Sequence, residues 1–185
     1  TAQIIDRTND GFTSTDVLNG AYRDKVFGRG THRFFPHEKF EPLNTDEIKT
    51  ADRIIISVGG NNFREFIQTA LRLHNPEEYI KTEYPKVFQQ LQEDYQEILK
   101  QIAKNNPEAE LILMTQYYPA LNQKMLLGTS IYEFMTLLGK IRNLGDALDT
   151  IQAVMKDSYQ GILQFITHDP SVSKLKVSVV DVTSS

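Results

Sequence analysis

Between Arg53 and Phe63 the chain reads R-I-I-I-S-V-G-G-N-N-F, and no other stretch narrows its folding options as far. Ile54, Ile55, Ile56 and Val58 are β-branched, and no charge follows Arg53 in the run. That is the pattern of a strand buried on both faces, as parallel sheets require, so the stretch predicts a central strand. Gly59 and Gly60 then let the backbone turn without a Cβ penalty. Asn61 or Asn62 supplies a cap for the helix implied by Phe63, Phe66, Ile67, Ala70 and Leu71. Strand, glycine turn, polar cap and helix put backbone amides and two carboxamides beyond the carboxyl end of a strand, where open α/β sheets bind ligands.

The rest of the chain repeats this alternation. Ile4 and Ile5 predict a short strand over Gln3–Asp6, and a helix starts near Thr13–Thr15 with Asp16 in its first turn and Val17, Leu18 and Ala21 as its buried face. Asp10-Gly11 between them is, by itself, a turn dipeptide. Arg23–Lys39 mixes five basic residues with Phe27, Phe34 and Phe35, and its glycines and Pro36 predict a long surface loop. Asn75-Pro76 reads as a helix stop, and Tyr84–Lys104 as an amphipathic crossover helix with Glu93, Asp94, Glu97, Lys100 and Lys104 on a solvated outer face. Leu111–Thr115 is the next buried strand. Tyr117 and Tyr118 follow at the same carboxyl edge, where they either line a substrate pocket or cover the sheet end. A loop over Ala120–Gly128, helices over Ser130–Leu138 and Leu144–Thr167, and a last strand over Lys176–Val182 complete the reading. Gly161 marks a kink or a close contact, and His168 caps the last turn's carbonyls. Strands alternating with helices predict an α/β fold, a three-layer α/β/α sandwich on a parallel flavodoxin-like sheet.

Composition bounds the function. A chain of 185 residues fits one domain, 1–185, with a sizeable core. Its net charge of −4 argues against a nucleic-acid partner, and the basic aromatic loop, whose composition also suits a single-stranded nucleic acid or an anionic head group, reads first as a loop with packed aromatics and solvated charges. Without cysteine there is no thiolate nucleophile and no disulfide, and His32 and His37 lack the spacing of a metal site. No metal or cofactor is expected, since no dinucleotide or P-loop glycine motif occurs. No apolar run reaches the length of a membrane span. Compartment and oligomeric state stay open.

Two stretches carry a resemblance. S-V-G-G-N-N-F (57–63) and N-D-G-F-T-S-T-D-V-L (9–18) resemble the third and second blocks of the SGNH (GDSL-type) hydrolases, in the family's order. The resemblance implies that the Gly11 N–H and the Asn61 carboxamide form an oxyanion hole, with Gly60, Asn62, Tyr117 and Tyr118 on the substrate side. Asn62 stands where the family usually has Asp. The family's Gly-Asp-Ser nucleophile block is not found, since Gly145-Asp146 is followed by Ala147, and none of His32, His37, His74 and His168 has Asp three residues before it. The expectation is therefore of part of a longer protein. Its nucleophile strand would lie before Thr1, filling a gap between the strands at Ile4 and Ile55, and its acid and base after Ser185. The implied activity is hydrolysis of an O-acyl or acetyl ester of a small-molecule, carbohydrate or lipid substrate through an acyl-enzyme. Two other readings remain: a non-catalytic SGNH-like binding domain, and an unrelated flavodoxin-like domain holding a phosphate at the Gly59-Gly60 turn.

Overall fold

The computed structural model describes residues 3–7, 12–22, 39–43, 45–114 and 159–180. Within them the order is α1 (Ser14–Asn19), β1 (Ala21–Tyr22), β2 (Lys39–Phe40), α2 (Thr45–Thr50), β3 (Arg53–Ile56), α3 (Gly60–Arg72), α4 (Pro76–Asn105), β4 (Glu110–Met114), α5 (residues 159–168) and β5 (Lys176–Val180). The fold is mixed α/β. Strands β3, β4 and β5 form a parallel sheet in that order, with Ile55 opposite Ile112 and Ile112 opposite Ser178. β1 and β2 pair separately as a short antiparallel ribbon, which brings together the two ends of the basic aromatic stretch. The stretch itself, 23–38, lies outside the described residues.

α4 organises the core. Ile80, Tyr84, Phe88, Leu91, Tyr95, Ile98, Leu99 and Ile102 recur every three or four positions along its 30 residues, and all are buried. Burying each stabilises the fold by about 1.5–3 kcal/mol relative to leaving it exposed. Against this stripe pack Phe66 and Ala70 of α3, Ile48 of α2, Leu111 and Leu113 of β4, and Tyr159, Ile162 and Ile166 of α5. α4 begins eight residues before the predicted start. Pro76 sits in its first turn, where the missing N–H costs nothing, so the dipeptide read as a stop is a start as well. Pro85 is tolerated inside the helix on an exposed position.

At the other end, Asn106 caps α4 and its Nδ2 donates to Ile48 O at 2.8 Å and Ala51 O at 2.9 Å. One carboxamide thus closes α2, an element the sequence reading missed, just before β3 begins. Gly161 is a close contact rather than a kink, since a Cβ there would run into the Gln92 side chain.

The sheet has two unlike faces. Ile54, Ile56, Leu111, Leu113 and Val177 face the core with α4 and α5. On the opposite face Ile55 is 62% exposed. β3 is therefore an edge strand of the described sheet rather than one buried on both faces, and β4 is central. Gln3–Asp6 forms no strand: Ile4 is 87% exposed, and the neighbouring Arg7 instead meets Glu47 of α2 in an ion pair. Ala21 is not on α1, because Gly20, at φ 74°, ends the helix and turns the chain into β1. Among the described residues no helix is long and apolar enough to cross a membrane.

Candidate functional site

β3 ends at Ile56 and the chain continues through Ser57 and Val58 into the glycine turn. Tyr95 of α4 and Tyr159 of α5 both donate their hydroxyls to the Val58 carbonyl, at 2.8 and 3.3 Å. Burial pushes the Tyr95 phenol well above its ordinary pKa, so it remains a donor. Gly59 follows with φ 125°, and a Cβ there would lie 2.8 Å from Tyr159 Oη and 3.3 Å from Leu91 Cδ1. Glycine is required twice over, by backbone conformation and by space. α3 starts at Gly60 with Gly59 at its N-cap, so neither asparagine serves as the cap. Both fall inside the first turn, and their side chains reach across to another part of the chain.

That other part is the start of α1. Thr13 is its N-cap: the Asp16 N–H donates to Thr13 Oγ1 at 3.3 Å, and the Thr13 N–H donates to Asp16 Oδ2 at 3.0 Å, a reciprocal capping box. Asn61 Nδ2 donates to Phe12 O at 3.1 Å, across 49 residues of sequence. Asn62, 9% exposed, grips Ser14 at two points, with Oδ1 accepting from Ser14 N at 3.0 Å and Nδ2 donating to Ser14 Oγ at 2.8 Å. The two stretches singled out in the sequence, 57–63 and 9–18, are thus joined directly at the carboxyl end of β3.

Beneath them lies a residue placed elsewhere by the sequence reading. Asp94 is 4% exposed, not part of a solvated face. Its Oδ2 accepts from Ser14 Oγ and Thr15 Oγ1, each at 2.7 Å, and its Oδ1 from Gln90 Nε2 at 2.9 Å. Asp94 comes three residues after Leu91 and four before Ile98, which puts it on the buried stripe of α4. That spacing was the available signal, and charge alone masked it.

Of the remaining candidates, Gly60 is the half-buried first residue of α3, while Gly11, Tyr117 and Tyr118 lie outside the described residues. His168 Nδ1 is 2.9 Å from Gln164 O, the contact with last-turn carbonyls that its position predicts. It precedes β5, whose first residue pairs with the first residue of β4, so it stands at the amino edge of the sheet, opposite the Gly59 turn. His74 is exposed after α3, and His32 and His37 are outside the described residues. Among the described residues no group of three His, Cys, Asp or Glu is arranged to hold a metal ion.

What the assembled site offers is one fixed donor, the half-buried Asn61 carboxamide on a helix's first turn, tied to a second helix start by side chains with little exposure to water. Such a preorganised dipole suits stabilisation of a developing negative charge, because it needs no reorganisation as the charge forms. No protein-family model, no curated protein and no solved structure matches the chain.

Proposed function

We propose that this chain carries the oxyanion-stabilising part of a serine ester hydrolase of the SGNH type. The observation that supports it is the junction of the two resembling stretches, in which Asn61 reaches Phe12 and Asn62 clamps Ser14. Phe12 is the neighbour of Gly11 in sequence, so the junction brings together the two stretches that would supply the oxyanion donors. A carboxamide nitrogen carries two hydrogens. One suffices to hold the Phe12 carbonyl, and the second is the one for the oxyanion.

In this reading a serine Oγ outside Thr1–Ser185 attacks the ester carbonyl, and the carbonyl electrons move onto oxygen, where Asn61 Nδ2–H and Gly11 N–H meet them. A histidine, also outside that range, takes the serine proton and passes it to the leaving alcohol. Water then releases the acyl group by the same route. The substrate is an O-acyl or acetyl ester of a small molecule, carbohydrate or lipid, with Gly60, Tyr117 and Tyr118 along its path. The parallel sheet β3–β4–β5 is the frame that holds this junction at its carboxyl edge, with a further strand beside β3. Ser14 is not the nucleophile, because it is fully buried and its hydroxyl is committed between Asn62 and Asp94.

The test is covalent trapping of the full-length protein with a fluorophosphonate, followed by peptide mass mapping. The expected result is one adduct on one serine preceding Thr1, abolished by heat denaturation before labelling. No adduct on folded protein, or labelling on a serine within Thr1–Ser185, contradicts the proposal.

A further inference from the structure

The hydrogen bonds around Ser14 allow one direction only. The Ser14 backbone N–H can donate and cannot accept, so the atom of Asn62 facing it at 3.0 Å must be oxygen. The Asn62 Nδ2 must then face Ser14 Oγ, 2.8 Å away, which has to accept. The single hydroxyl proton is forced to the far side, onto Asp94 Oδ2 at 2.7 Å. Thr15 Oγ1 and Gln90 Nε2 donate to the same carboxylate. All three members, Asn62, Ser14 and Asp94, are buried, so water cannot readily replace a mismatched partner.

We propose that Asp94 is a positioning residue for the Asn61–Asn62 turn, acting through Ser14 in a relay where position 62 must donate and position 94 must accept. The relay fixes the first turn of α3 to the start of α1 and thereby the direction of the adjacent Asn61 carboxamide. Its catalytic consequence rests on the hydrolase reading, whereas its direction does not.

The relay predicts an asymmetric response to two conservative changes. Asn62→Asp places carboxylates on both sides of one hydroxyl that has a single proton. One acceptor is left unmatched, and two like charges face each other across Ser14. Asp94→Asn alone is milder, because the new carboxamide can turn its oxygen to Ser14 and Thr15 while the exposed Gln90 turns its own oxygen to the new N–H. In the double variant every group is matched again. The N–H at position 94 donates to Ser14 Oγ, the hydroxyl turns to donate to the carboxylate at position 62, and the Thr15 hydroxyl rotates to accept.

The experiment measures thermal unfolding and p-nitrophenyl acetate hydrolysis for the full-length protein, Asn62→Asp, Asp94→Asn and the double variant. Asn62→Asp is expected to lower Tm by roughly 5–10 °C. It is also expected to lower kcat by roughly 10- to 100-fold with KM little changed, as displacement of a transition-state donor does. The double variant returns both to the level of Asp94→Asn. If the two losses simply add, the directional relay is wrong. If Tm recovers and kcat does not, Asp94 supports the fold without positioning the turn. If the unmodified protein hydrolyses no ester, the hydrolase reading fails and the Tm pattern alone decides the relay. Should Asn62→Asp give no folded protein, recovery of folded protein in the double variant is the same rescue, and its absence overturns the proposal.

Discussion

Gly59 is the residue on which the turn geometry depends most. With φ 125° and Tyr159 Oη 2.8 Å from any Cβ, Gly59→Ala is expected to destabilise the protein by about 1–3 kcal/mol from the backbone alone, measured by urea unfolding. Adding Tyr159→Phe removes the contact and leaves the strained φ, so the pair should recover only part of the loss. A full recovery would show that space, not conformation, decides this position. The glycines were legible because a strand pattern running into Gly-Gly has few outcomes. Asp94 was not, because a carboxylate on an amphipathic helix reads as solvated until its partner is known, and Ser14 lies 80 residues away in sequence. The same holds for Asn62. Its neighbours in sequence suggested a cap or a substrate contact, and only the tertiary pairing shows both ends of the carboxamide on Ser14.

At the scale of elements, the strand–turn–helix unit from β3 to α3 hangs from two hydroxyls on one carbonyl. Either tyrosine alone still satisfies Val58 O, so Tyr95→Phe or Tyr159→Phe is expected to cost roughly 0.5–1.5 kcal/mol. The double change leaves a buried carbonyl without either donor and should cost about 1–3 kcal/mol beyond the sum of the singles, a coupling that chemical denaturation of the four proteins measures. Simple additivity would show that the two hydroxyls act independently. α1 was legible from Thr13 and Asp16, whose spacing makes a capping box, and β4 and β5 from their apolar runs. The start of α4 was misplaced because Asn-Pro serves equally to end one helix and open the next. The helix α2 escaped because six residues show little periodicity, although Asp46 and Glu47 in its first turn and Lys49 in its last match its dipole.

For the whole molecule, the unequal faces of the sheet make a direct prediction. Leu113→Ala, on the face packed against α4 and α5, should cost about 2–5 kcal/mol, whereas Ile55→Thr, on the exposed face, should stay within about 0.5 kcal/mol, both read by urea unfolding. A large loss at Ile55 would mean that this face is covered in solution. The parallel sheet was readable because its strands are short, apolar and separated by helix-length segments. Which strand is central was not, since a run such as Ile54–Ile56 is equally apolar whether one face is buried or two. The central claim is that the junction of the Gly59–Asn62 turn with the Phe12–Ser14 segment stabilises an oxyanion, and the most direct test is steady-state ester hydrolysis by the full-length protein and Asn61→Ala. The expected result is a fall in kcat of roughly 10²- to 10³-fold with KM little changed and Tm lowered by only a few degrees through the lost bond to Phe12 O; an Asn61→Ala protein as active as the original contradicts it.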